Sequence, residues 1–213
     1  MVTRVGKVVI LFPQSFIFMD GQKKKIVLFA SGNGTNAENI IRYFSQKKAA
    51  EVAAVFTNRP QAGVIKRAEK LHVPVFVFTR EQFSDTDKLV RQLESLGTDL
   101  IVLAGFLWKI PSGLIRHFPQ RIINIHPALL PAYGGKGMYG RHVHEAVLAA
   151  GEQKSGITIH YVNEFYDAGQ IIFQAETAVS ASDTPETLAA KIHRLEYLHF
   201  PPVIEKILKQ QDS

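Results

Sequence analysis

Apolar and polar positions change period repeatedly along this chain, and each change marks an element. Ile26-Val27-Leu28-Phe29-Ala30 is a short, unbroken apolar run, as expected of a parallel strand buried on both faces. Apolar positions in Ala37 to Phe44 then recur at helical spacing. Glu51 to Phe56 reads as a second strand that ends at a turn around Asn58-Arg59-Pro60. Residues 62–71 read as helix and Val73 to Phe78 as a third strand. A helix around Asp85 to Leu96 leads to a fourth strand, Asp99 to Ala104. A short helix near 111–118 precedes a fifth, Arg121 to Ile125. This alternation predicts an α/β fold, a Rossmann-like, mainly parallel twisted sheet with helices on both faces.

The C-terminal part has another texture. Gly156 to Val162 alternates like a half-exposed strand. Gly169 to Val179 reads as a further strand of mixed character, so the two predict an antiparallel pair. Thr184 to Lys209 reads as helix, interrupted near Pro201-Pro202. At the other end, Val8 to Phe18 is apolar behind Arg4 and Lys7. That stretch is too short for a membrane span, contains Pro13 and ends without a small-residue cleavage site. Residues 1–23 therefore read as an N-terminal extension without a working role, and 24–213 as a single domain.

Composition narrows the class. At 213 residues with 46% hydrophobic and 21% charged positions, the chain can bury a substantial core. It has no cysteine, which excludes disulfides, thiolate metal sites and a cysteine nucleophile, and which fits a cytoplasmic enzyme. The formal charge of +6 comes from scattered residues, with Lys23-Lys24-Lys25 the densest cluster. It suits a small phosphorylated or polyglutamylated ligand better than nucleic acid.

Three clusters carry candidate chemistry, each where a strand gives way to a loop, the place where ligands collect in such sheets. Ser31-Gly32-Asn33-Gly34-Thr35-Asn36 joins the first strand to the first helix. Its glycines permit close backbone approach, and the amides of a helix N-terminus face an anion. It lacks the third glycine of a dinucleotide fingerprint and the Gly-Lys-Ser/Thr of a nucleoside-triphosphate loop. A single terminal phosphate is the expected ligand. The purely structural reading, a tight turn with Thr35 or Asn36 capping the helix, is evenly matched with it.

Asn124-Ile125-His126-Pro127 closes the fifth strand. Alternation puts Asn124 and His126 on one face, and Pro127 stops the strand. An amide and an imidazole aimed at one point suit an oxyanion formed in acyl transfer. A lone histidine, by contrast, is more often a satisfied core residue. Asp167, in Tyr166-Asp167-Ala168-Gly169, is by itself a turn-former. Beside His126 it would favour and orient the imidazolium. No Gly-x-Ser-x-Gly, His-Glu-x-x-His or other metal spacing occurs. His142 and His144, without a third partner nearby, read as solvated loop histidines.

From about Lys25 onward, the chain resembles glycinamide ribonucleotide formyltransferases, whose formyltransferase fold is shared with methionyl-tRNA and sugar-nucleotide formyltransferases. The resemblance rests on Asn124-Ile-His126-Pro-Ala-Leu-Leu-Pro followed by Asp167 after His160, and on Ser31-Gly-Asn-Gly-Thr-Asn36. It implies that Asn124, His126 and Asp167 are catalytic and that Gly34, Thr35 and Asn36 hold the ribonucleotide phosphate. Glu196, in His193-Arg-Leu-Glu196-Tyr, corresponds to an acidic contact to the nucleotide. Leu107, Trp108, Lys109 and Ile110 correspond to the wall of the pteridine pocket, where Asn124 also contacts the folate. Arg80 resembles a basic residue that meets the folate. Trp108-Lys109 departs from the more usual basic-then-aliphatic pair, and the glycine-rich 133–140 is expected to be a mobile loop.

The same resemblance implies glycinamide ribonucleotide and 10-formyltetrahydrofolate as the small-molecule partners, with the folate as cosubstrate and no metal. It implies direct amine attack and a monomer or homodimer, with no nucleic acid or membrane partner. Residues 24–124 would form a nucleotide-binding half, and 125–213 a folate-side and C-terminal helical half. The alternatives in the same family are a formyltetrahydrofolate hydrolase, which has no use for a phosphate loop, and a sugar-nucleotide formyltransferase. A non-catalytic nucleotide- or folate-binding protein and a Rossmann oxidoreductase fit less well, the latter for want of its glycine fingerprint.

Overall fold

The computed structural model describes residues 23–211; the apolar stretch 8–18 and all of the 1–23 extension but Lys23 lie outside them. Strand β1 (Lys24–Phe29) leads into helix α1 (Thr35–Ser45), followed by β2 (Ala50–Thr57), α2 (Gly63–Lys70) and β3 (Val75–Val77). Two short helices, α3 (Arg80–Ser84) and α4 (Thr86–Ser95), precede β4 (Thr98–Leu103). Then come α5 (Ser112–His117), β5 (Ile122–His126), α6 (Arg141–Ala149), β6 (Lys154–Tyr161), β7 (Ile171–Ala178) and the long α7 (Pro185–Gln210).

All seven strands form one sheet in the order β3-β2-β1-β4-β5-β6-β7. Pairing is parallel from β3 through β5 and antiparallel for β5-β6 and β6-β7. The expected parallel sheet and the expected antiparallel pair are therefore both present. The strand order reverses between β1 and β4, which opens a crevice at their C-terminal ends.

The unbroken apolar run of β1 is explained by its two faces. Ile26 and Leu28 pack into a core with Ile40 and Phe44 of α1, Val143 of α6 and Ile192 and Phe200 of α7. Val27 and Phe29 point the other way, into a core with Phe56, Phe83, Leu93 and Leu114 beneath α3, α4 and α5. Each alternate residue thus meets a helix layer, and no position in β1 beyond Lys25 can be polar without loss of apolar burial.

Three expectations are corrected. Strand β6 is buried from Ser155 to His160 rather than half exposed. It lies inside the sheet between β5 and β7, and β7, at the edge, carries the in-out alternation. Helix α7 runs through Pro201 and Pro202 without a break. Pro201 has no N–H to give to Tyr197, four residues earlier, and Asn39 Nδ2 of α1 donates to that carbonyl at 3.0 Å instead. Finally, His142 and His144 lie on α6, not in a loop, and His144 is buried, with its Nδ1 unpartnered. The glycine-rich text before α6 masked its periodicity.

Burial holds the His126 imidazole below the usual histidine range, against the opposing pull of Asp167 and the Tyr133 carbonyl. Burial does the same to His144, helped by His193 and opposed by Glu196. In the unfolded chain both return to about 6.5. The unfolded state then binds more protons than the folded one just below that pH, so stability is complete above it and falls with acidification. Denaturant melts at pH 7.5 and 5.5 should show that fall, and a smaller one in His144→Gln. Equal losses in the two proteins would remove His144 from this account.

Candidate active site

The site begins with one row across the sheet: Phe29 of β1 pairs with Leu103 of β4, Leu103 with Asn124 of β5, and Asn124 with His160 of β6. The residues just past this row form the mouth of the crevice. Ser31 N donates to Gly105 O at 3.0 Å. The buried Ser31 hydroxyl accepts from Leu107 N at 3.0 Å. These two bonds tie the glycine loop after β1 to the loop after β4.

Gly34 is the N-cap of α1, with φ of 77° and no side-chain cap. Neither Thr35 nor Asn36 caps the helix; the tight turn of the structural reading is present, its cap is not. A β-carbon on Gly34 would lie 2.5 Å from the Val64 side chain, so the left-handed turn and its contact with α2 both require glycine. Asn36 instead sends its Nδ2 to Glu196 Oε2 of α7 at 2.9 Å, leaving its buried Oδ1 unpartnered. Glu196 is only 5% exposed, and His193 Nδ1 reaches the same oxygen at 2.8 Å. That bond raises the His193 pKa against the cost of burial. Two expected residues 160 positions apart, Asn36 and Glu196, are thereby joined.

Asn124, His126 and Asp167 also come together. Asp167 Oδ2 lies 3.5 Å from His126 Nδ1 and accepts from Gly135 N at 2.9 Å. Its Oδ1 lies 3.4 Å from Asn124 Nδ2 and 3.6 Å from His160 Nε2. Burial pushes the Asp167 carboxyl up, but His160, His126 and the Gly135 amide outweigh it and hold the pKa below the usual carboxylate value. Asp167 itself sits at φ 52°, a conformation that costs a non-glycine residue about 1–3 kcal/mol. The bonds to its carboxylate hold it there.

His160 is the member that sequence reasoning passed over as a mere landmark. Its Nδ1 lies 2.9 Å from Tyr161 O, an acceptor only, so Nδ1 carries the proton. Nε2 is then free to accept, and Asn124 Nδ2 stands 3.1 Å away. The tautomer of His160 thus sets which end of the Asn124 amide faces the cleft. The signal was available in the alternation of β6, which puts His160 opposite the strand end that carries Asn124. His126 is similarly committed: its Nε2 donates to Tyr133 O at 2.7 Å. Residues 128–130 are fastened below by Thr158 Oγ1, which donates to Ala128 O and accepts from Leu130 N.

The third group lines the rim. Trp108 is half-buried against Phe78 and Phe83, with centroids 5.9 and 5.5 Å away, and the Arg80 guanidinium stacks 4.4 Å above its ring. Lys109 Nζ is 6.0 Å from the ring of Tyr166, next to Asp167. Leu107 is partly exposed, whereas Ile110 is 4% exposed and belongs to the core. Among the described residues no group of His, Cys, Asp and Glu could hold a metal, and no helix is long and apolar enough to cross a membrane.

A strand reversal and an Asn-His-Asp set gathered at the end of β5 fit the transferases built on a Rossmann-like sheet. The chain belongs to the formyl transferase family, whose model matches residues 24–204. Within that family, it is similar to enzymes named phosphoribosylglycinamide formyltransferase. The chloroplastic one of Arabidopsis thaliana is 40% identical over 93% of this chain and 72% of its own length. That of Bacillus subtilis is 38% identical over 87% of this chain and 95% of its own. The crystal structure of the Streptococcus pneumoniae enzyme has a TM-score of 0.77 at 37% identity, covering 86% of this chain and 98% of that one.

Gly34→Ala tests the turn. Left-handed strain and the clash with Val64 should together cost roughly 2 kcal/mol or more. Adding Val64→Ala should recover little, because alanine keeps the Cβ and Cα that would lie 2.5 and 2.6 Å from the new methyl group. Thermal melts of the two variants measure both, and a wild-type melting temperature for Gly34→Ala would refute the assignment.

Proposed function

We propose that this chain transfers the formyl group of 10-formyltetrahydrofolate to the amine of glycinamide ribonucleotide, giving formylglycinamide ribonucleotide and tetrahydrofolate in purine synthesis. The observation that carries the reading is the meeting of Asn124, His126 and Asp167 beside the helix end that Asn36 links to Glu196. Gly34, Thr35 and Asn36 receive the phosphate, and Glu196 takes the nucleotide further along. The folate lies across Leu107, Trp108 and Lys109, with Arg80 at the rim, so both halves of the chain, 24–124 and 125–213, line the cleft. A hydrolase would leave the phosphate loop and the Asn36-Glu196 link without a purpose.

Holding both reactants in one crevice supplies much of the rate. The neutral amine attacks the formyl carbon, a carbon–nitrogen bond forms, and the carbonyl oxygen becomes an oxyanion. Collapse breaks the bond to N10 of the folate while a proton passes from the attacking nitrogen to N10. Asn124 and His126 flank the oxyanion. For His126 Nε2–H to serve it, the Tyr133 carbonyl must withdraw, which makes loop 133–140 part of the reaction cycle. Asp167 compensates the charge that His126 acquires, and His160 orients Asn124 from behind. No covalent intermediate is needed.

Deformylated folate, followed spectrophotometrically, should appear only when glycinamide ribonucleotide is present. Product formed equally well without it would make the chain a hydrolase. Asn124→Ala and His126→Ala should each lower kcat by about two to three orders of magnitude, the typical loss of one oxyanion donor, with folding intact. Near-normal turnover in either variant would remove that residue from the mechanism.

A further inference from the structure

The loop that receives the phosphate has an electrostatic problem that its own residues leave unsolved. Glu38 stands in the first turn of α1. An acidic side chain there favours the helix dipole, but it competes with an incoming phosphate for the same positive end and repels it. The Glu38 carboxylate is held below the usual range by Arg42 and Arg67, so it stays charged throughout the working pH range.

Arg67, on α2, answers both needs at once. Its guanidinium pairs with Glu38 Oε2, its Nε donates to Asn33 O at 2.9 Å, and an NH2 hydrogen reaches Asn33 Oδ1 at 3.4 Å. Arg42, one turn further along α1, grips the other carboxylate oxygen of Glu38 at 2.8 and 3.0 Å. One acid and two guanidinium groups leave this cluster one positive charge in excess. The fork of Arg67 is also the only side chain outside the 31–36 loop and its helix that the described residues show bonded to the loop's middle. It fastens the Asn33 carbonyl, which fixes the backbone just ahead of Gly34, Thr35 and Asn36. Val64 and Gly63 of the same helix pack against Gly34 and Asn33, so α2 shapes this loop along its length.

We infer that Arg67 is a positioning residue of the phosphate site: through Asn33 it sets the curvature of the Ser31–Asn36 loop, and through Glu38 it offsets, together with Arg42, a negative charge beside the phosphate. This rests on the formyl transfer to a phosphorylated amine given above. It adds that phosphate affinity is set from α2, by a residue that need not touch the ligand. A planar fork is required, because one ammonium cannot reach a carboxylate and a backbone carbonyl in fixed directions.

The experiment compares glycinamide ribonucleotide with its phosphate-free ribonucleoside in the full-length wild type, Arg67→Gln, Arg67→Lys and Arg67→Gln/Glu38→Gln. Arg67→Gln should raise KM for the ribonucleotide by about tenfold, the scale of a lost charge-assisted contact. The values of kcat, of KM for the folate and of KM for the ribonucleoside should hold. Arg67→Lys should fall between, and the double variant should regain part of the loss because the repelling charge is gone. Equal losses on both acceptors, a fall in kcat alone, or no recovery in the double variant would overturn the inference. Failure of the function reading would show separately, as wild-type enzyme that does not use the ribonucleotide.

Discussion

The Asp167 carboxylate is the point on which the site depends. Four groups from three parts of the chain converge on it: His126 and Asn124 from the end of β5, His160 from β6, and the Gly135 amide from the loop after the Leu130-Pro131 turn. An anion this enclosed is tolerated only if the surrounding donors outweigh the cost of its desolvation. Here they do, because the carboxyl pKa is lowered despite burial. Removing the charge would leave the Asn124 amide and the Gly135 N–H without their shared acceptor, and it would release a residue held at positive φ.

That hub also opposes the effect of burial on His126. Burial drives His126 toward the neutral form, while Asp167 and the Tyr133 carbonyl pull it the other way. In the arrangement described, the donor nitrogen of His126 is satisfied by residue 133 and the amide nitrogen of Asn124 by His160 and Asp167. The chemistry therefore needs small local rearrangements, a displaced carbonyl and a reoriented amide, rather than a change in the sheet. The sheet itself is rigid for a plain reason: both of its faces are covered by packed helices.

The nucleotide side is organised differently. Its elements are a glycine turn, a helix end and helix α7, stitched by Asn36 to Glu196 and by Arg67 to Asn33 and Glu38. Asn39 adds a further stitch, satisfying the α7 carbonyl that Pro201 leaves without a donor. Helices α1 and α7 are thus held together by polar contacts from Asn36 and Asn39 and by Phe44, Leu188 and Phe200 beneath them. The polar stitches at the glycine loop and the packing of α1 on α7 are neighbours, so a change that loosens one should be felt by the other.

Much of this was legible along the chain, and the reasons are physical. Strands β1 and β4 are buried on both faces, so their sequences must be apolar throughout and they declare themselves. Glycine at position 34 is demanded by a positive φ, and the alternation of β5 puts Asn124 and His126 on one face whatever surrounds them. Local rules could not supply the rest. The burial of β6 depends on having neighbours on both sides. The continuity of α7 through two prolines depends on an asparagine from another helix. His160, His193 and Arg67 have no distinctive local context, since each gains its meaning from a partner that the fold alone brings within reach: the tautomer-setting carbonyl of Tyr161, the carboxylate of Glu196, and the loop at Asn33. Sequence by itself determined the parallel sheet, the antiparallel pair and the shared face of Asn124 and His126. Tertiary structure decided which protons those groups hold and which way they face, because charge and tautomer are properties of surroundings rather than of residues.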